Sequence, residues 1–122
     1  MIIKAKNFIL RPYRKGDEIS LISNINDKEI YKRTCNIPYP YTKKHANEWI
    51  KSNLKRNKKE INFAIDINSN AIGGIGFRNI ECYKAEIGYW LGKQYWNKGV
   101  ITEALKLATD FGFKKLKLRR IY

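Results

Sequence analysis

From Ile61 to Ile67 apolar residues fall at every second position, with Ile61, Phe63, Ile65 and Ile67 separated by polar or small side chains. A period of two is the mark of a half-buried strand rather than a helix. Asn68-Ser69-Asn70 supplies turn chemistry, and Ala71 to Ile80 runs back, so the pattern predicts a hairpin. Glu81 to Lys84 turns the chain again, and Ala85 to Leu91 is apolar on both faces, as expected of a central strand. Gly92 to Asn97 reads as a loop. From about Lys98 to Lys115 a helix turns Leu105, Leu107, Ala108 and Phe111 inward, and Leu118 to Tyr122 begins a last strand.

Before the hairpin the pattern is mixed. Residues 2 to 10 read as one strand, ending at Arg11-Pro12. Asp17 is placed to cap a helix carrying Ile19, Leu21, Ile22 and Ile25, and Asn26-Asp27 caps a short turn with Ile30 and Tyr31. The prolines of Asn36 to Tyr41 exclude regular helix there. Thr42 then caps a helix whose face is Ala46, Trp49, Ile50 and Leu54.

The resulting order is β-α-α-β-β-β-α-β, an α+β domain with a mixed, mostly antiparallel sheet flanked by helices. A right-handed crossover through the last helix makes its two strands parallel. A glycine-containing loop stands where that helix starts, and unpaired first-turn N–H groups there attract anions.

At 122 residues the chain has the length of one domain, and its net charge of +14 favours anionic partners such as nucleic acid, anionic membranes or phosphorylated ligands. The lysines are spread along the whole length, as a compositional bias would leave them, rather than gathered into a nucleic-acid surface. Cys35 and Cys82 fit no metal or redox spacing, and with the single His45 they cannot assemble a zinc site. No segment reaches the roughly 20 apolar residues of a membrane helix, and the N-terminus lacks a signal-peptide pattern. A cytoplasmic protein with free thiols is expected.

Four blocks in register carry a resemblance. Residues 85 to 104, AEIGYWLGKQYWNKGVITEA, resemble the acetyl-CoA signature of the GNAT acyltransferase superfamily in its RimJ/RimL branch. Leu10-Arg11-Pro12-Tyr13, Pro38-Tyr39-Pro40-Tyr41-Thr42 before a helix with Trp49, and Ile72-Gly73-Gly74-Ile75-Gly76 follow the same order of blocks. The family loop, Gln/Arg-x-x-Gly-x-Gly/Ala, falls on Trp96-Asn97-Lys98-Gly99-Val100-Ile101. Gly99 fits, Trp96 is the usual choice of this branch, and Ile101 departs from the pattern, so its side chain has to point into the core.

The resemblance implies transfer of an acetyl group from acetyl-CoA to a primary amine, a protein N-terminus (of a ribosomal protein in this branch) or a small amine, with no metal. It assigns coenzyme contacts to Trp90, Leu91, Asn97, Lys98, Gly99, Val100, Ile101 and Thr102, with added charge from Lys93 and Lys98. A backbone N–H near Leu91 would meet the thioester oxyanion. Tyr39 and Tyr41 would wall the acceptor pocket. Glu86 reads either as the general base, directly or through water, or as the ion-pair partner of a basic residue. Arg11 reads as a structural anchor, Glu103 as a dipole-compensating residue, and Trp49, Phe63, Phe77, Phe111 and Phe113 as core. His45 is expected to face solvent, and Arg56 to Lys59 to form a solvated turn. Gly73, Gly74 and Gly76 fit close backbone packing in a strand better than a second phosphate loop. Family members continue past the last strand with another helix and a closing hairpin, so a C-terminally incomplete domain, residues 1–122, is expected. The rival readings are a basic nucleic-acid or ribosome-associated module and an inactive truncated fragment.

Overall fold

The computed structural model describes residues 1–34, 37–55 and 57–122, so the expectations placed on Cys35, Asn36 and Arg56 lie outside the described residues. Six strands form one sheet in sequential order: β1 (Ile3–Lys4), β2 (Ile9–Arg11), β3 (Ile61–Ile67), β4 (Asn70–Glu81), β5 (Lys84–Leu91) and β6 (Arg120–Ile121). Neighbours are antiparallel except β5 and β6, which run parallel across the helical crossover. Helices α1 (Glu18–Ile25), α2 (Lys28–Thr34) and α3 (Lys43–Leu54) precede β3, and α4 (Val100–Lys114) joins β5 to β6. This is the expected α+β architecture with a mostly antiparallel sheet.

Alternation along the strands sorts the core onto two faces. Phe63, Ile65, Phe77, Ala85 and Leu91 pack against Ala104, Ala108 and Phe111 of α4. Ala64, Ala71 and Trp90 meet Tyr13, Leu21, Ile25, Ile30, Ala46 and Ile50 from the first three helices and their connections. Close packing in β4 needs its glycines. An added Cβ at Gly73 would approach the Trp90 carbonyl to 2.8 Å, and one at Gly76 would reach the Ile61 carbonyl at 2.5 Å.

Several details differ from the sequence pattern, among them Leu54, expected on the buried face of α3 but 52% exposed. The single strand expected over residues 2 to 10 is a short hairpin, because Lys6-Asn7 favours a turn that the Ala5 N–H closes onto the Phe8 carbonyl at 2.9 Å. The short turn after Asp27 is the seven-residue helix α2, anchored by buried Ile30. Ile19 is 81% exposed, since Leu21 and Ile25, one turn apart, define the buried face of α1. Phe113 is exposed for the same reason: two residues beyond Phe111 it lies on the opposite side of α4.

Arg11 anchors the first helical layer to the sheet. It is buried, with Nη2 and Nη1 donating to Asp17 at 2.9 and 3.0 Å and Nε donating to Asp66. Burial alone would lower its pKa, but the bonds to Asp17 and Asp66 outweigh that and raise it. Asp17 therefore does not cap α1 with its side chain; its carboxylate also accepts the Arg14 N–H at 2.9 Å.

Candidate functional site

Strand β5 leads through Gly92 and a tight turn at Lys93–Tyr95 into Trp96 and the head of α4. Asn97 (φ +63°) and Gly99 (φ +78°) both adopt left-handed backbone, flanking Lys98. Left-handed residues in a turn leading into a helix gather successive N–H groups into a concave, anion-binding nest. An added Cβ at Gly99 would meet nothing within 4 Å, so glycine is favoured there by backbone angle, not by crowding. The first helical bond runs from the Glu103 N–H to the Gly99 carbonyl at 3.1 Å. Among the described residues, the amides from Asn97 to Thr102 donate to no carbonyl of the protein in a turn, loop or cap, and first-turn amides have no partner within their own helix. Ile101, the departure from the family pattern, packs its side chain against the core beneath α4, leaving the loop's outer surface to backbone.

A second set of backbone groups lies beside the loop. Strand β6 pairs with β5 only at Lys84 and Ala85, and the Ala85 carbonyl accepts from Tyr122 N–H at 3.1 Å. Strand alternation then points the N–H and C=O groups of Ile87, Tyr89 and Leu91 to the same edge, away from β4. The Leu91 carbonyl is taken by the Trp96 indole N–H at 2.7 Å, which fastens the loop to the strand. The Leu91 N–H is left on the edge.

A cleft of about 1170 Å³ runs from this loop between the sheet and α2–α3. Of the residues expected from sequence, Trp90, Leu91, Asn97, Gly99, Val100, Ile101, Thr102 and Tyr41 line it, whereas Lys98, Tyr39 and Glu86 do not. Lys98 projects from the nest as an exposed side chain. Tyr39, preceding a cis proline, packs its ring 6.0 Å from that of Tyr31. Glu86 lies directly across from Arg78 on β4 and is engaged by its Nε at 2.9 Å and by Nη2, with Asn79 Nδ2 at 3.5 Å. It is Arg78, not Glu86, that reaches the cleft.

The structure brings to the cleft residues that the sequence did not mark for the site. Tyr13, 3% exposed, lines the cleft, and its oxygen accepts the Trp90 indole N–H at 3.4 Å. Burial raises its pKa. Arg33 of α2 stacks its guanidinium 4.4 Å from the Trp96 ring centroid. His45 does not simply face solvent: its Nδ1 accepts the Thr42 N–H at 3.1 Å in a capping box, and the ring lines the cleft. Glu48 and Glu60 line it too. Their signal in the sequence is their rarity as acids in a lysine-rich stretch, which local patterning does not weigh.

An unpaired strand edge beside a nest of amides at a helix head, on an α+β scaffold, is an arrangement suited to an anion with an extended arm. A sequence profile of the acetyltransferase (GNAT) domain matches residues 7–122, and the chain belongs to that family. It is 28% identical over 119 residues to the Bacillus subtilis (strain 168) protein named "Putative ribosomal N-acetyltransferase YdaF", covering 96% of this chain and 58% of that one. It is 48% identical over 52 residues to the uncharacterized N-acetyltransferase p20 of Bacillus licheniformis, covering 41% and 29%. The chain thus spans less than two thirds of these curated relatives. Among solved structures, a GNAT-family acetyltransferase from Bacillus anthracis superposes with a TM-score of 0.84 at 25% identity, over 99% of this chain and 71% of that one. RimL, the ribosomal L7/L12 alpha-N-protein acetyltransferase in complex with coenzyme A, gives a TM-score of 0.86 at 20% identity over 99% and 72%, a likeness of fold. Among the described residues no helix is long and apolar enough to cross a membrane, and no cluster of metal-ligating side chains occurs.

Proposed function

We propose that residues 1–122 act as one N-acyltransferase domain that moves an acetyl group from acetyl-CoA to a primary amine. The observation that carries this reading is the set of unpaired amides from Asn97 to Thr102 gathered at the head of α4. A diphosphate there would accept several N–H bonds and sit at the positive end of the helix dipole. The pantetheine arm would run along the Ile87–Leu91 edge, pairing with main-chain groups as an added strand does. Lys93 and Lys98, both exposed, would add charge beside the phosphates without having to touch them.

This arrangement brings the thioester carbonyl to the Leu91 N–H, which would donate to the oxyanion. The amine, once deprotonated, attacks that carbonyl carbon; the N–C bond forms, the C–S bond breaks, and the sulfur leaves as a thiolate that takes up the second amine proton, giving a neutral amide and a free thiol. The ammonium proton departs through water, since the Glu86 carboxylate is held by Arg78 and lies behind it from the cleft. In this reading Glu86 is a water-linked proton acceptor and an ion-pair partner at once.

The names of YdaF and RimL favour a protein N-terminus as acceptor, and Tyr41, in the cleft wall, would contact it. Incubating the chain with acetyl-CoA and candidate amines should release free thiol and give an acetylated amine by mass spectrometry. Thiol release equal to that of buffer alone, across peptide N-termini and small amines, would contradict catalysis by this chain.

A further inference from the structure

Asn24 of α1 is 9% exposed and packs where β4 begins and β5 ends. Its amide nitrogen donates to the Ser20 carbonyl at 2.8 Å and to the Ala71 carbonyl at 3.4 Å, which fixes the way the amide faces. Asn24 Oδ1 is left without a hydrogen-bond partner, alone among the buried side-chain polar atoms of the described residues. A buried oxygen without a donor weakens a fold, so its presence calls for a reason outside stability.

The oxygen faces Gly92. A Cβ on that glycine would stand 2.8 Å from Asn24 Oδ1 and 3.2 Å from the Asn24 Cβ. The Gly92 backbone, at φ −54° and ψ 134°, is open to any residue. Glycine is needed there because Asn24 and the Ile72 carbonyl crowd the position, not because of its conformation. The Gly92 N–H is already committed, donating to the Ile72 carbonyl at 2.8 Å. The next two donors along the chain, the Lys93 and Gln94 N–H groups, head the tight turn and donate to no carbonyl among its turn and loop bonds. An unpaired acceptor and unpaired donors therefore meet where β5 leaves the sheet. That junction separates Leu91, at the strand edge, from Trp96, which opens the nest.

We propose that Asn24 is a positioning residue for the coenzyme: when a diphosphate fills the nest, the Lys93 N–H closes onto Asn24 Oδ1 through a small rotation at Gly92. The inference rests on the acyltransferase reading and deepens it. Without a side chain, Gly92 can absorb the change in backbone angle. The new bond fixes the spacing between the nest and the Leu91 N–H, so that the two ends of one ligand are met together. Helix α1 thereby joins the donor site without touching the coenzyme. A bond made only in the liganded state shifts the protein toward that state, and its absence from the free protein is the stability given up for it.

The test is amide hydrogen exchange at Lys93, read by NMR with and without saturating coenzyme A, whose binding is first measured by calorimetry. In the wild type, coenzyme A should slow exchange of the Lys93 N–H about tenfold or more. Asn24→Leu should leave that amide fast in the presence of coenzyme A and weaken coenzyme binding about fivefold. Asn24→Asp keeps an oxygen at the position and should restore the protection, which a side chain that merely fills space would not do. The wild-type measurement decides the matter even where a variant fails to fold. Bound coenzyme A that leaves Lys93 exchange unchanged, or equal protection in Asn24→Leu, would overturn the positioning role while leaving the acyltransferase reading intact. Absence of coenzyme A binding by the wild type would sink both.

Discussion

The guanidinium of Arg33 stacks on the indole of Trp96, whose N–H in turn donates to the Leu91 carbonyl at 2.7 Å. One side chain therefore joins α2, the end of β5 and the residue that opens the nest. It also explains why tryptophan can replace the polar residue of the general family loop: the ring supplies both a stacking face and a donor.

Replacing Trp96 by Phe keeps the stacking face and removes the donor. The expected result is weaker acetyl-CoA binding, by about fivefold, from a loosened loop, with a stability loss of about 1 kcal/mol. Arg33→Ala should weaken binding by a smaller factor, since an exposed stacking pair is worth about 0.5–1 kcal/mol. Calorimetry on both variants checks the order.

Arg11→Met tests the anchor under the first helical layer. It leaves Asp17 and Asp66 buried without their cation, an arrangement that typically costs 3–5 kcal/mol, about enough to unfold a marginal domain. Urea unfolding followed by circular dichroism should show the midpoint collapse. A variant within about 1 kcal/mol of wild type would mean the network is far better solvated than its burial indicates.

Much of this was legible in the residues, for identifiable reasons. The period-two run at Ile61 to Ile67, the return strand and the strand–glycine loop–helix succession each depend on local patterning, and each element formed where the pattern put it. Ile101 resolved in part, its half-buried side chain packed against the core while it also lines the cleft. Local pattern could not see partners distant in sequence. Glu86 and Arg78 meet only through strand register. The α1 and α4 faces exclude Ile19 and Phe113 through angular position, which apolarity alone does not report. Glu48, Glu60 and Tyr13 reach one cleft from three separate stretches of the chain, and only the folded chain brings them together.

Alkaline pH offers a check on the Tyr41 environment. Burial pushes its hydroxyl up to about 12 from the ordinary 10, so the folded state holds the proton while the unfolded state gives it up. The resulting stability is fully present below pH 10 and is lost as pH rises toward 12. Tyr13, also raised by burial, acts in the same direction. Tyr41→Phe should therefore flatten part of the decline in urea-unfolding free energy between pH 10 and 12. Parallel declines in wild type and variant would show that Tyr41 is open to water in the folded state.

Gly74 lies under the Tyr13 hydroxyl and the Trp90 indole nitrogen, and a Cβ there would collide with both. Gly74→Ala should destabilise the chain by about 1–3 kcal/mol through forced repacking, and tilting Trp90 should perturb its fluorescence. An unchanged emission spectrum and midpoint would show that the wall yields freely.

The account turns on the backbone of the nest, and titration of acetyl-CoA into the wild-type chain and Gly99→Val tests it most directly. A Cβ at Gly99 meets nothing within 4 Å, while φ of +78° is strained for any branched residue by about 1–2 kcal/mol. Saturable one-to-one binding by the wild type, weakened at least tenfold in a variant that stays folded, is the expected result. Equal affinity in the two proteins, or no binding by the wild type, would contradict a diphosphate held at the head of α4.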